Sequence, residues 1–165
     1  FMHPRNGDNL VKAGEFHGRG DLGNIIGNPL ETTYFLSRLI FDGTFDRHPA
    51  LRVIAPHGGG YLPSYLGRAD VACTVRGDAD CANTRSPREY FRRQILADSM
   101  VFTDAGLRHL VNEIGVGQIV YGTDIPFNWP DTLGVILDAS YLSDSDKQAI
   151  LGGNVMKLLR IPAPQ

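Results

Sequence analysis

The chain has 165 residues, a net charge of −2 at pH 7, 42% apolar and 21% charged residues. That balance is ordinary for a globular protein. It lacks the basic footprint of a nucleic-acid binder, and no stretch approaches the ~18 consecutive apolar residues of a membrane span.

The opening residues, Phe1-Met2-His3-Pro4, read as the end of a strand. In NPLETTYFLSRLIFDG, Asn28 suits an N-cap, Pro29 the first helical position and Glu31 a capping box. Phe35, Leu36, Leu39 and Ile40 share one face of that helix, and Gly43 is its stop. A short buried strand, 51–55, then runs through Pro56 into His57-Gly58-Gly59-Gly60. The sequence YLPSYLGRADVA reads as helix after Pro63, GDADCANTRSP as a loop, REYFRRQIL as helix or loop, and SMVFT as a second strand. DAGLRHLVNEIG is an amphipathic helix, with Leu107, Leu110, Val111 and Ile114 at helical spacing and Gly115 after them. GQIVYGTD is the third strand. Ser143, with Asp146 three residues on, starts a helix that Gly152 ends, and Asn154 caps a last one. Cys73 and Cys81 form no CxxC, which argues against a sulfur-rich zinc site. The expected setting is cytoplasmic, which favours two free thiols, with a disulfide between the two as the alternative.

Strands alternating with helices predict an α/β fold with parallel strands. A full (β/α)8 barrel needs about 250 residues, so four strand–helix units, counting the opening remnant, amount to half of one. Three strand ends carry chemistry: His3, His57 and Asp124. In parallel α/β folds, ligands gather outside the carboxyl ends of strands. Two imidazoles and a carboxylate converging there form a reasonable site for a divalent metal. Taken singly, each has a plainer reading: His3 as an exposed terminal residue, His57 as a hydrogen-bonding partner of its glycine loop, Asp124 as a cap in the Thr-Asp-Ile-Pro turn. His17, His48 and His109 lack the strand-end placement and read as structural or exposed. HGGG also occurs as an oxyanion hole in α/β-hydrolase esterases, but none of the serines, 37, 64, 86, 99, 140, 143 and 145, sits in a G-x-S-x-G elbow.

The motifs APHGGGYLPSYLGR, YGTDIPF and ILGGNVMKLLRI, in this order, with FMHP before and EYFRRQI between them, resemble the amidohydrolase-related metal enzymes of the aminocarboxymuconate-semialdehyde decarboxylase type. The resemblance implies the C-terminal half of a (β/α)8 TIM barrel as a single part, 1–165, with the N-terminal half and its His-x-His or Glu-x-His ligand pair outside the chain. It implies one divalent metal ion, Zn²⁺ or Mn²⁺, with His3 and Asp124 as ligands. His57 corresponds to the family's acid/base. Arg68 corresponds to an arginine that reaches a substrate carboxylate across the interface of a homodimer. The expected activity is metal-dependent, non-oxidative decarboxylation of an unsaturated or aromatic carboxylic acid. In it Arg68 pairs with a carboxylate, His57 moves the proton, and Trp129-Pro130 fits a flat, acidic substrate. A metal-dependent hydrolase on the same scaffold is the alternative, with Asp124 or His57 taking the proton from water. A third reading is a non-catalytic fragment whose unpaired strand edges invite self-association.

Overall fold

The computed structural model describes residues 1–4, 16 and 18–162; His17 lies outside them. Its centre is a three-stranded parallel sheet in the order β1 (Val53–Ala55), β2 (Ile95–Asp98), β3 (Ile119–Val120). Val53 pairs with Ile95 and Ala55 with Ala97. Asp98 pairs with Val120. The register therefore brings all three carboxyl ends to one rim. The N–H of Met2 donates to the carbonyl of Ile54 at 3.2 Å, so the opening residues lie beside β1, but they form no strand of the sheet. On the far side, the N–H of Tyr121 donates to Ile150 and the Asn154 amide donates to the carbonyls of Val116 and Ile119. Both open edges of the sheet are thus partly covered.

Helices pack over the sheet. α1 (Asn28–Phe41) and the single turn α2 (Thr44–Arg47) precede β1. α3 (Leu62–Val75) and α4 (Pro87–Phe91) link β1 to β2. α5 (Asp104–Ile114) leads to β3. α6 (Leu133–Leu137), α7 (Asp144–Gln148) and α8 (Asn154–Leu159) follow. α5 fits its sequence pattern: the Thr103 hydroxyl accepts from the Gly106 N–H, Leu107, Leu110 and Ile114 are buried, and Gly115 ends the helix at positive φ. Those three side chains meet Ile95 and Ile119 in the core, where each contributes about 1.5–3 kcal/mol by burial. The capping box at Ser143 and Asp146 also forms as expected.

Four expectations fail, each for a local reason. Asn28 does not cap α1, because helical winding already begins upstream in a wide turn over Gly23–Gly27, leaving Asn28 itself helical. The buried stripe of α1 is Thr32, Leu36 and Ile40 rather than one centred on Phe35, which is exposed. The second strand is 95–98, not 99–103, since all four residues of ILAD are buried against both neighbours. Gly152 does not end the helix that Ser143 starts; a wide turn over Ala149–Gly153 carries the winding into α8.

Cys73 and Cys81 are not free thiols but a disulfide. The loop after α3 folds back so that their Cα atoms lie 5.9 Å apart, within the span a disulfide bridges. The bridge closes a short loop, for which chain entropy gives about 2–3 kcal/mol. Reduction with dithiothreitol, or Cys73→Ser, is expected to lower the melting temperature by about 5–10 °C; a melt unchanged by reduction would contradict this.

Candidate active site

The three strand ends meet. His3 Nε2 lies 3.3 Å from Asp124 Oδ1, and His57 Nε2 lies 3.9 Å from Asp124 Oδ2. The two imidazole rings stand edge to face with centroids 5.3 Å apart. One ligand atom from each of the three residues falls within 4.8 Å of the others, a spacing one cation can bridge.

The backbone holds each group in place. His3 Nδ1 is 2.9 Å from the Pro4 carbonyl, so its proton sits on that nitrogen and the Nε2 lone pair faces Asp124. Either a proton on Nε2 or a shared cation can bridge this nitrogen and the carboxylate oxygen. The donor set, imidazole nitrogen plus carboxylate, suits Zn²⁺ or Mn²⁺, and the hydrogen bond to Pro4 supplies the outer partner a ligating histidine usually has. Asp124 adopts φ +56°, a conformation that Asp tolerates better than most residues, and the Phe127 N–H closes the turn on its carbonyl.

His57 sits in a run of four left-handed residues, with φ of 56°, 62°, 81° and 67° from His57 to Gly60. Three glycines in succession are what allow such a run. Every glycine N–H in it is used internally: Gly58 donates to Asp98 Oδ1 at 2.8 Å, Gly59 to Pro56 and Gly60 to His57. No oxyanion hole remains there. Burial holds the His57 pKa below its ordinary value; Asp124 opposes this and His3 adds to it. His57 Nδ1 is buried and has no partner. A proton there would be an unsatisfied donor, so the neutral ring carries its proton on Nε2, aimed at the site.

Asp98 is the residue the sequence reading missed. It ends β2, is buried, and accepts from the N–H groups of Gly58 and of Met100, the latter at 3.1 Å. Burial pushes its pKa up to about 6, against the opposing pull of those amides. The signal was a single acid inside the apolar run ILADSM.

Beside the triad lies a cavity of about 320 Å³ whose lining includes His57, Asp124, Tyr61, Phe102, Trp129 and Asn24. Phe102 and Trp129 are in contact with ring centroids 5.5 Å apart, and Phe127 stacks on His3 at 6.2 Å. The cavity offers apolar walls for a flat ring next to an imidazole and a carboxylate. Arg68 is not brought there. It lies exposed on α3, outside the residues lining this cavity. His48 is exposed, and His109 Nε2 lies 3.1 Å from the Ser64 hydroxyl on the outer helices.

A parallel α/β sheet with two histidines and an aspartate gathered beyond its strand ends is a partial barrel with a candidate metal site. The chain belongs to the amidohydrolase family, whose model matches residues 10–161. It is 35% identical to the 2-amino-3-carboxymuconate-6-semialdehyde decarboxylase of Dictyostelium discoideum, over 82% of this chain and 38% of that one. The solved 5-carboxyvanillate decarboxylase of Sphingomonas paucimobilis superposes with a TM-score of 0.84 at 27% identity, covering 98% of this chain and 49% of that one. A dihydroxybenzoic acid decarboxylase from Polaromonas, solved with manganese and 2-nitroresorcinol, gives 0.82 at 26% identity, covering 99% and 50%. The chain thus spans half or less of the length of these relatives.

The expectation that no ligand pair of the His-x-His or Glu-x-His kind occurs needs one correction. The triplet Glu15-Phe16-His17 has that spacing. It follows His3 in the chain, whereas the family's pair lies on an earlier strand, and Glu15 and His17 fall outside the described residues.

Proposed function

We propose that this chain contributes the C-terminal half of a (β/α)8 barrel, as a single domain, to a metal-dependent, non-oxidative decarboxylase of aromatic or unsaturated carboxylic acids. The observation that carries the reading is the convergence of His3, His57 and Asp124 within 4.8 Å beside an aromatic-walled cavity. The decarboxylase names of the relatives support the reaction class. A cytoplasmic setting belongs to this reading; among the described residues no helix is long and apolar enough to cross a membrane.

His3 and Asp124 would hold the divalent ion, Zn²⁺ or Mn²⁺. When bound, the ion supplies Lewis-acid charge that draws a substrate carboxylate and a neighbouring oxygen to the site. The remaining work belongs to side chains. Tyr61, Phe102 and Trp129 clamp the ring and keep water from the carbon that loses its carboxylate. His57 Nε2 faces the site; the ring takes up a proton to become imidazolium, delivers it to the carbon as carbon dioxide departs, and returns to the neutral form. Arg68, exposed and in no ion pair among the described residues, serves the neighbouring subunit of a homodimer by pairing with the substrate's carboxylate.

The test is carbon dioxide release from 2,6-dihydroxybenzoate and 5-carboxyvanillate by the Mn²⁺-loaded protein. Release that requires Mn²⁺ and is lost in His57→Asn supports the proposal. Hydrolysed or hydrated products without carbon dioxide overturn it in favour of the hydrolase alternative. Arg68→Ala is expected to raise KM about 10–100-fold, the worth of a charged hydrogen-bonded contact of ~1.5–3 kcal/mol, with the melting temperature unchanged. An unchanged KM would remove Arg68 from the substrate site.

A further inference from the structure

We infer that Asp98 is a positioning residue for His57: its carboxylate anchors the glycine turn His57–Gly60 at the Gly58 N–H, and so aims the imidazole at the substrate. This deepens the proposed decarboxylase and rests on that reading for its catalytic consequence.

Five observations carry it. The turn is a run of left-handed residues from His57 to Gly60. Successive N–H groups in such turns converge to form an anion-binding concavity. Asp98 Oδ1 sits on the turn, accepting from Gly58 at 2.8 Å, and is held from its own strand by the Met100 N–H at 3.1 Å. Asp98 is only 7% exposed, so water does not compete for these bonds. Nor does the His57 side chain hold itself. Its Nδ1 has no partner and its Nε2 is 3.9 Å from Asp124. The backbone at His57 and Gly58 is therefore what sets the direction of the ring, and Asp98 is what sets that backbone. A Cβ added at Gly122 would stand 3.0 Å from the Asp98 Cβ, so a glycine there leaves room for the Asp98 side chain.

The test uses Asp98→Asn, which keeps the shape and one acceptor oxygen but loses the charge, with Asp98→Ala beside it. Amide exchange followed by NMR is expected to accelerate at least tenfold at His57 and Gly58 in Asp98→Asn, and further in Asp98→Ala, while the β1–β2 ladder keeps its protection. Carbethoxylation of His57, read by peptide mass spectrometry, is expected to quicken at least threefold, with His48 and His109 as unchanged internal references. Mn²⁺ affinity is expected to stay within threefold, because His3 and Asp124 are not moved. In the decarboxylation assay kcat falls about 10–100-fold, with KM within threefold. Formate at tens of millimolar is expected to restore part of the exchange protection and of kcat in Asp98→Ala by refilling the concavity.

Unchanged exchange and unchanged His57 reactivity in folded Asp98→Asn would overturn the inference. So would acceleration spread evenly over the whole sheet, which would make Asp98 a general core residue. If the protein that also carries the N-terminal half of the barrel releases no carbon dioxide from any acid, the decarboxylase reading fails, while exchange and carbethoxylation still decide the role of Asp98.

Discussion

Asp124→Asn is expected to lower the affinity for Mn²⁺ by at least about a hundredfold and to abolish carbon dioxide release. Asp124 is the only anion in the triad, and it alone reaches both rings, with Oδ1 3.3 Å from His3 and Oδ2 3.9 Å from His57. Loss of a partner that only orients a ligand costs about 10–100-fold in metal affinity; loss of a charged ligand belongs at or beyond the top of that range. The fold is expected to survive. Asn adopts the left-handed region as readily as Asp, so the φ of +56° at this position is preserved, and the turn closed by the Phe127 N–H uses the backbone carbonyl rather than the side chain. Calorimetric titration with Mn²⁺, beside a thermal melt in its absence, separates the two effects. A variant that melts like the parent and still binds Mn²⁺ within tenfold would remove Asp124 from the ligand set.

The parts of this site legible in the sequence share one trait: they are polar residues that end a short apolar run. His57 follows VIA and Asp124 follows IVYGT, and parallel pairing carries both to the same rim. Asp98 obeys the same rule and was hidden by it. The run ILADSMVF has apolar residues on both sides of the acid, so the strand reads four residues late and the acid falls before it. Only the pairing of Ala97 with Ala55 and Ile119 shows that the strand stops at Asp98. Local signals failed where winding continues through a residue of poor propensity. Asn28 carries cap chemistry but sits inside a helix that began earlier. Asn154, read as a cap, instead spends its amide on two carbonyls at the start of β3. The disulfide depends on how the loop after α3 folds back, which no local pattern records. The place of Arg68 outside the cavity is likewise a tertiary fact.

Gly60→Ala is expected to destabilise the protein by about 4 kcal/mol or more, the largest effect of any single methyl added to the glycine turn. Gly60 has φ 67° and ψ −140°, a region that side-chain-bearing residues enter at a cost of about 1–3 kcal/mol. The added Cβ would also stand 2.4 Å from the Pro29 carbonyl oxygen and 2.7 Å from the Thr33 hydroxyl. Neither can yield freely. The Pro29 carbonyl belongs to the first turn of α1, and the Thr33 hydroxyl is already committed, donating to Pro29 at 2.7 Å and accepting from the Tyr61 N–H at 2.8 Å. Relief by rotating Thr33 strands the Tyr61 N–H, which costs about 1–3 kcal/mol; relief by moving the turn pulls His57 away from Asp124. Urea denaturation measures the loss. Gly67→Ala on α3 is the matched control, since nothing lies within 4 Å of its Cβ position, and replacing a helical glycine there is expected to stabilise by up to ~1 kcal/mol. A Gly60→Ala variant within 1 kcal/mol of the parent would show that the turn is free to move on α1, and the rigid aim of His57 would have to come from elsewhere.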